Sequence, residues 1–130
     1  MRRLLLMSIC FFPILAACAA LTGNMLPEGV TTHDTAKGTV FANAKGMTLY
    51  TFDKDSKGIS NCYGACAKKW PPLIASANEK PTNGFTLVKR KDGTHQIAYH
   101  GKPLYTWFKD SMPGDIKGDG VKGVWHIAKP

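Results

Sequence analysis

Between residues 38 and 128, apolar and β-branched side chains come in short runs broken by glycine and proline, a pattern that predicts strands and tight turns rather than long helices. The runs 39–42 and 47–52 flank Asn43-Ala44-Lys45-Gly46, which predicts a hairpin. Runs 85–90 and 95–99 flank Asp92-Gly93, a favoured turn pair, and the second of them meets a further run, 104–108, across His100-Gly101-Lys102-Pro103. A last strand is expected over 124–128. One short helix fits 62–69, with Asn61 placed as its N-cap and Pro71-Pro72 forbidding its continuation. Residues 19–37 follow neither a period of two nor one of 3.6, and read as a tether. The expected fold is mainly β, a compact antiparallel domain over 38–130 with one short helix.

The same run of residues occurs twice. Gly46, Leu49, Tyr50, Thr51, Lys54, Asp55 and Ser56 return 55 positions later as Gly101, Leu104, Tyr105, Thr106, Lys109, Asp110 and Ser111, with Trp107 in place of Phe52. Each half is too small to bury its own apolar face, so the domain is expected to consist of two related halves sharing one core, with the repeat motifs at 46–56 and 101–111. Tyr50 and Phe52 lie two apart on a strand and point to one face, as do Tyr105 and Trp107. Asp55 and Asp110 fall just past the strand ends, where a carboxylate accepts backbone N–H groups and locks the departing loop. The aromatics are therefore expected to fill the shared core. The alternative reading makes them platforms that bind a sugar or a peptide beside the two carboxylates.

Ahead of the domain, Arg2 and Arg3 precede an almost wholly apolar stretch, 4–17, that closes in Leu15-Ala16-Ala17-Cys18. This resembles a bacterial lipobox, and predicts a signal peptide over 1–17 with lipid on Cys18, the first residue of the mature chain. Two alternatives compete. The apolar stretch 4–21 approaches the roughly 20 residues that cross a bilayer, and ordinary secretion with a cut after Ala19 would discard Cys18. Ala19 is not an aspartate retention signal, which points a lipidated chain to the outer membrane, facing the periplasm. Over the full chain 17 basic residues face 9 acidic ones. The lysines are scattered and form no basic helix, so nucleic acid is not an expected partner; membrane is, through the lipid.

Tyr50-Thr51-Phe52-Asp53-Lys54-Asp55 and Tyr105-Thr106-Trp107-Phe108-Lys109-Asp110 resemble the Yx(F/W/Y)xxD motif of a bacterial lipoprotein family described as a secreted repeat of unknown function. Asn61-Cys62-Tyr63-Gly64-Ala65-Cys66 with Trp70-Pro71-Pro72-Leu73, and Gly123-Val124-Trp125-His126, are similar to its linking segment and its closing strand. The resemblance covers about 38–128 and implies an exported or lipid-anchored repeat protein, with no catalytic residue attached.

Cys10 leaves with the leader and Cys18 is taken by lipid, so Cys62 and Cys66 are the thiols of the folded domain, in an oxidising compartment. Four helical residues advance about 6 Å, a separation that a disulfide spans. The alternative is copper(I) or thiol-redox chemistry at Cys62 and Cys66, with His126 as the histidine of first interest, His33, His95 and His100 also available, and Met25, Met47 and Met112 as further sulfur donors. Asp115-Ile116-Lys117-Gly118-Asp119-Gly120 faintly resembles a calcium loop, but Lys117 replaces an oxygen ligand and His126 stands at position twelve, so an ordinary loop is expected. No serine has a G-x-S-x-G setting and no glycine pattern cradles phosphate. The expected function is non-enzymatic: a cofactor-free binding or interaction module of the envelope whose protein or glycan partner is not legible.

Overall fold

The structure is a computed structural model that describes residues 10–14 and 25–130; Cys18 lies outside the described residues. Its elements are β1 (Val30–Thr35), β2 (Gly38–Asn43), β3 (Tyr50–Phe52), α1 (Ala65–Lys69), β4 (Phe85–Lys89), β5 (His95–Tyr99), β6 (Lys102–Pro103), a 3₁₀ turn (Val121–Gly123) and β7 (Trp125–Ile127). All strand pairs are antiparallel: β1 with β2, β3 with β7, and β4–β5–β6. The chain is thus a mainly-β domain with one short helix.

Strand β1 corrects the expected tether, because it lies inside 18–37. Only Val30 of the strand is buried, while Thr31, Thr32 and Asp34 are exposed, so no apolar alternation announces it. What holds it is the ladder to β2, running from Val30 opposite Asn43 to Thr35 opposite Gly38. The helix is also shorter than 62–69. Its first turn begins only after Gly64, whose φ of 57° and ψ of −125° suit glycine alone at low cost. Asn61 does not cap it; its side chain donates to the Lys54 carbonyl at 2.7 Å. The expected strand 104–108 is broken differently, with β6 at Lys102–Pro103 and Tyr105 bridging both Tyr50 and Pro72.

The two halves are joined by exchanging their last strands. In the first, Leu49 N–H donates to Phe41 O, Phe41 N–H to Ala128 O, and Ala128 N–H to Leu49 O, each at 2.9 Å. The second repeats this closed ring with Leu104 to Ile97 at 3.0 Å, Ile97 to Leu73 at 2.9 Å and Leu73 to Leu104 at 2.9 Å. Leu73 thus completes the half built by Ile97 and Leu104, and Ala128 completes the half built by Phe41 and Leu49. At the centre Tyr50 and Tyr105 face each other, Tyr50 N–H donating to Tyr105 O at 2.8 Å and Tyr105 N–H to Tyr50 O at 3.0 Å. An approximate two-fold axis passes between them.

Two apolar clusters flank this axis. One gathers Val30, Phe41, Leu49, Phe85, Ile97, Leu104 and Ala128. The other gathers Tyr50, Cys62, Trp70, Tyr105, Trp107 and Trp125. In the second, four rings form a column: Phe52 on Trp125 at 4.2 Å, Trp125 on Trp70 at 3.7 Å, and Trp70 on Trp107 at 3.9 Å between centroids. Such pairs add about 0.5–1.5 kcal/mol each beyond the area they bury. Gly118 lies flat against this packing, and a Cβ there would meet Tyr50 Cζ at 2.8 Å and Trp70 Cη2 at 3.0 Å. Gly118→Ala is therefore expected to cost about 1–3 kcal/mol by overpacking, lowering the melting temperature by about 4–8 °C per kcal/mol. An unchanged melting curve would contradict the described fit.

Candidate functional site

The repeat motif brings its own polar groups together across the two-fold axis. Tyr50 of the first repeat donates its hydroxyl to Asp110 Oδ2 of the second at 2.6 Å. Tyr105 of the second donates to Asp55 Oδ2 of the first at 2.7 Å. Each carboxylate keeps its other oxygen for a loop: Asp55 Oδ1 accepts Asn61 N–H at 2.7 Å, and Asp110 Oδ1 accepts Lys117 N–H at 3.0 Å. The aspartates do lock the departing loops, as their position past the strand ends predicts, but over spans longer than an Asx turn and with a tyrosine from the other half attached.

Burial drives the protonation of these groups. Both tyrosine hydroxyls are pushed well above their ordinary range, chiefly by burial and then by the neighbouring carboxylates. Burial also raises the acid range of Asp55 and Asp110, against the hydrogen bonds that favour their ionised forms. Each hydroxyl and each carboxylate is thereby tied to a partner from the other half.

The third partners of the two hydroxyls differ. Tyr50 Oη accepts the backbone N–H of Gly118 at 3.2 Å. Tyr105 instead meets Ser60 Oγ at 2.7 Å. Arg90, only 5% exposed, donates to Ser60 Oγ at 3.0 Å, to Gln96 Oε1 at 2.8 Å and to the Cys62 carbonyl at 2.9 Å, and its guanidinium covers the Tyr63 ring at 4.3 Å. Since Arg90 can only donate and an ionised Asp55 can only accept, the bonds run in one direction, Arg90 to Ser60 to Tyr105 to Asp55. Sequence reasoning missed Arg90, Ser60 and Gln96. The available signal was parity, because Arg90 shares the inward face of Val88 at the end of β4.

Cys62 and Cys66 are bonded to each other, with their α-carbons 5.2 Å apart. Cys62 is wholly buried in the aromatic cluster, so the bridge ties α1, which carries Cys66, to the core. His126 is not brought to the cysteines; its Nε2 lies 2.7 Å from Asp53 Oδ2. Among the described residues no group of three metal-binding side chains gathers. The acidic groups of 115–120 are spent internally. The Asp115 carboxyl is held below its usual range by the N–H groups of Ser111 and Met112, and Asp119 accepts Ile127 N–H and pairs with Lys37 at 2.6 Å.

Among several cavities, one is a groove along the aromatic column, of about 340 Å³, lined by Phe52, Trp70, Trp107 and Trp125 together with Lys54, Lys69 and Lys122.

These features define a β domain made of two strand-exchanged repeats. The chain matches twice, over residues 31–74 and 86–129, the lipoprotein family described as a secreted repeat of unknown function, and it belongs to that family. The two matches are offset by 55 residues, the spacing of the motif, and the first starts within β1, not at Gly38. The family's description as secreted supports export. No curated protein matches the chain, and no solved structure does.

Tyr50→Phe removes a donor from a buried carboxylate and is expected to cost about 1–3 kcal/mol. Combined with Asp110→Asn, it should show a coupling of about 0.5–3 kcal/mol by denaturant unfolding; strict additivity would contradict the bond. Because the folded chain holds both tyrosine protons above the unfolded value near 10, their contribution to stability is complete below about pH 10 and is lost as pH rises beyond it. In an alkaline titration, the tyrosinate absorbance of two residues should appear only with unfolding, and Tyr50→Phe should reduce this to one.

Proposed function

We propose that the chain is a non-enzymatic binding module of the cell envelope, anchored through lipid on Cys18 to the outer membrane and facing the periplasm. The observation that carries this reading is the internal use of the repeat motif: the hydroxyls of Tyr50 and Tyr105 and the carboxylates of Asp110 and Asp55 are committed to each other. These four groups of the motif serve as scaffold. The closed bridge between Cys62 and Cys66 favours this reading over copper or thiol-redox work, which needs accessible thiolates.

The leader supports the anchor. Leu15-Ala16-Ala17-Cys18 supplies the processing pattern, and two or three acyl chains on one cysteine hold a protein firmly, at about 0.8 kcal/mol per buried methylene. From Cys18 to Leu26 the chain can extend at most about 26–29 Å at 3.3–3.6 Å per residue. Leu26, on that path, packs against the first apolar cluster, whereas the groove belongs to the second. This leaves the groove available to a partner away from the anchor.

Mass spectrometry of the mature N-terminus tests the anchor. The expected product begins at Cys18 and carries the mass of its acyl chains, and Cys18→Ser abolishes that product. A mature chain that starts at Ala20 without lipid, or one that retains residues 1–17, would sink the anchoring.

A further inference from the structure

The aromatic column shows its rim, not its faces, to the groove. Phe52, Trp125, Trp70 and Trp107 stack at successive spacings of 4.2, 3.7 and 3.9 Å, so each inner face is covered by the next ring. A ring is negative on its face and positive at its edge, which makes the exposed rim attractive to oxygen-bearing, anionic ligands. The indole N–H groups strengthen this. Trp70, Trp107 and Trp125 are 4%, 8% and 3% exposed. No indole N–H has an acceptor among the described residues. Since no buried side-chain nitrogen or oxygen there lacks a partner, all three open to solvent, and the groove is the cavity these residues share.

Charge follows the same rim. Lys54, Lys69 and Lys122 line the groove, and a second cavity of about 400 Å³, which shares Lys69 and Lys122 with it, continues to Lys109 and Lys117. No acidic residue lines either cavity. Lys122 holds a left-handed conformation, φ 52° and ψ 16°, that glycine would adopt without strain. A lysine there places a charge on the wall that the two cavities share at the expense of stability, a form of strain associated with functional sites.

We propose that this groove binds an acidic polysaccharide of the envelope, with ammonium groups on its carboxylates and indole N–H groups on its hydroxyl and ring oxygens. The inference rests on the reading of the chain as a binding module and names the ligand class. Five ammonium groups rather than guanidinium forks, one of them Lys117 paired with Asp115 at 3.7 Å, spread over two joined cavities and match a ligand whose charge repeats along its length. An acidic peptide fits less well, because it brings backbone N–H donors to a rim without a carboxylate acceptor.

The test uses the chain purified from the envelope and held in zwitterionic detergent, titrated with oligogalacturonate. All three tryptophans of the chain line the groove, so their emission reports binding directly. The expected result is saturable binding that weakens with salt and exceeds that of a neutral oligosaccharide of equal length. Lys54→Gln, Lys69→Gln and Lys122→Gln together should weaken it more than about tenfold at low salt, at about fivefold per lysine, with the melting temperature unchanged. Lys122→Gly alone should weaken binding while holding or raising the melting temperature. Equal binding by the triple variant, no saturable change, or tighter binding of polyglutamate or of mixed micelles carrying phosphatidylglycerol would each overturn the proposal. The assay needs no lipid on the protein. Loss of the anchor therefore leaves it standing, and its failure beside a lipidated Cys18 removes only the ligand class.

Discussion

A buried tyrosine hydroxyl needs an acceptor and a buried carboxylate needs donors, and in this protein each half supplies what the other lacks. Tyr50 is satisfied by Asp110 and Tyr105 by Asp55, on either side of the backbone pair that Tyr50 and Tyr105 form with each other. A group left unpaired in such a place costs about 1–3 kcal/mol. Neither repeat can meet that demand alone. The exchange of final strands, Leu73 into one half and Ala128 into the other, adds the same dependence at the level of the backbone. The result is one cooperative unit from two repeats, stabilised by contacts that span most of the chain.

Against that symmetry, the differences between the halves mark where the repeats have been put to separate uses. Tyr50 is completed by a glycine N–H, which needs a bare backbone at Gly118 so that the amide can approach the ring. Tyr105 is completed by Ser60, itself positioned by Arg90, which also binds the Cys62 carbonyl beside the disulfide. The linker of the first repeat thus carries a covalent clamp and is held by a buried cation from the second repeat. Cys62 sits within the aromatic cluster, and its bonded partner Cys66 lines the groove beside the rings.

Scaffold and surface are in this sense chemically divided. Carboxylates and hydroxyls of the motif are consumed inside, while the groove is left with ammonium groups, indole N–H groups and ring edges. An aromatic column that resists collapse is a sound base for such a surface, because stacked rings lose little freedom when a ligand arrives.

Much of the architecture is local and could be read from the chain. Alternation placed Tyr50 with Phe52 and Tyr105 with Trp107 on common faces, the Asp-Gly pair marked the turn between β4 and β5, and the 55-residue spacing marked the duplication. Strand β1 escaped because its side chains are polar on both faces and its support is a backbone ladder. Asn61 looked like a cap because caps are judged from neighbours, yet its backbone N–H was claimed by Asp55, and Arg90, read only as the last residue of the run 85–90, is buried. The amino-acid order by itself determined most of the strands, the repeat and the loop-locking aspartates, since these depend on residues a few positions apart. Which tyrosine meets which aspartate, and which strand closes which half, was decided only in three dimensions, where groups 50 and 60 positions apart compete to satisfy the same buried atom.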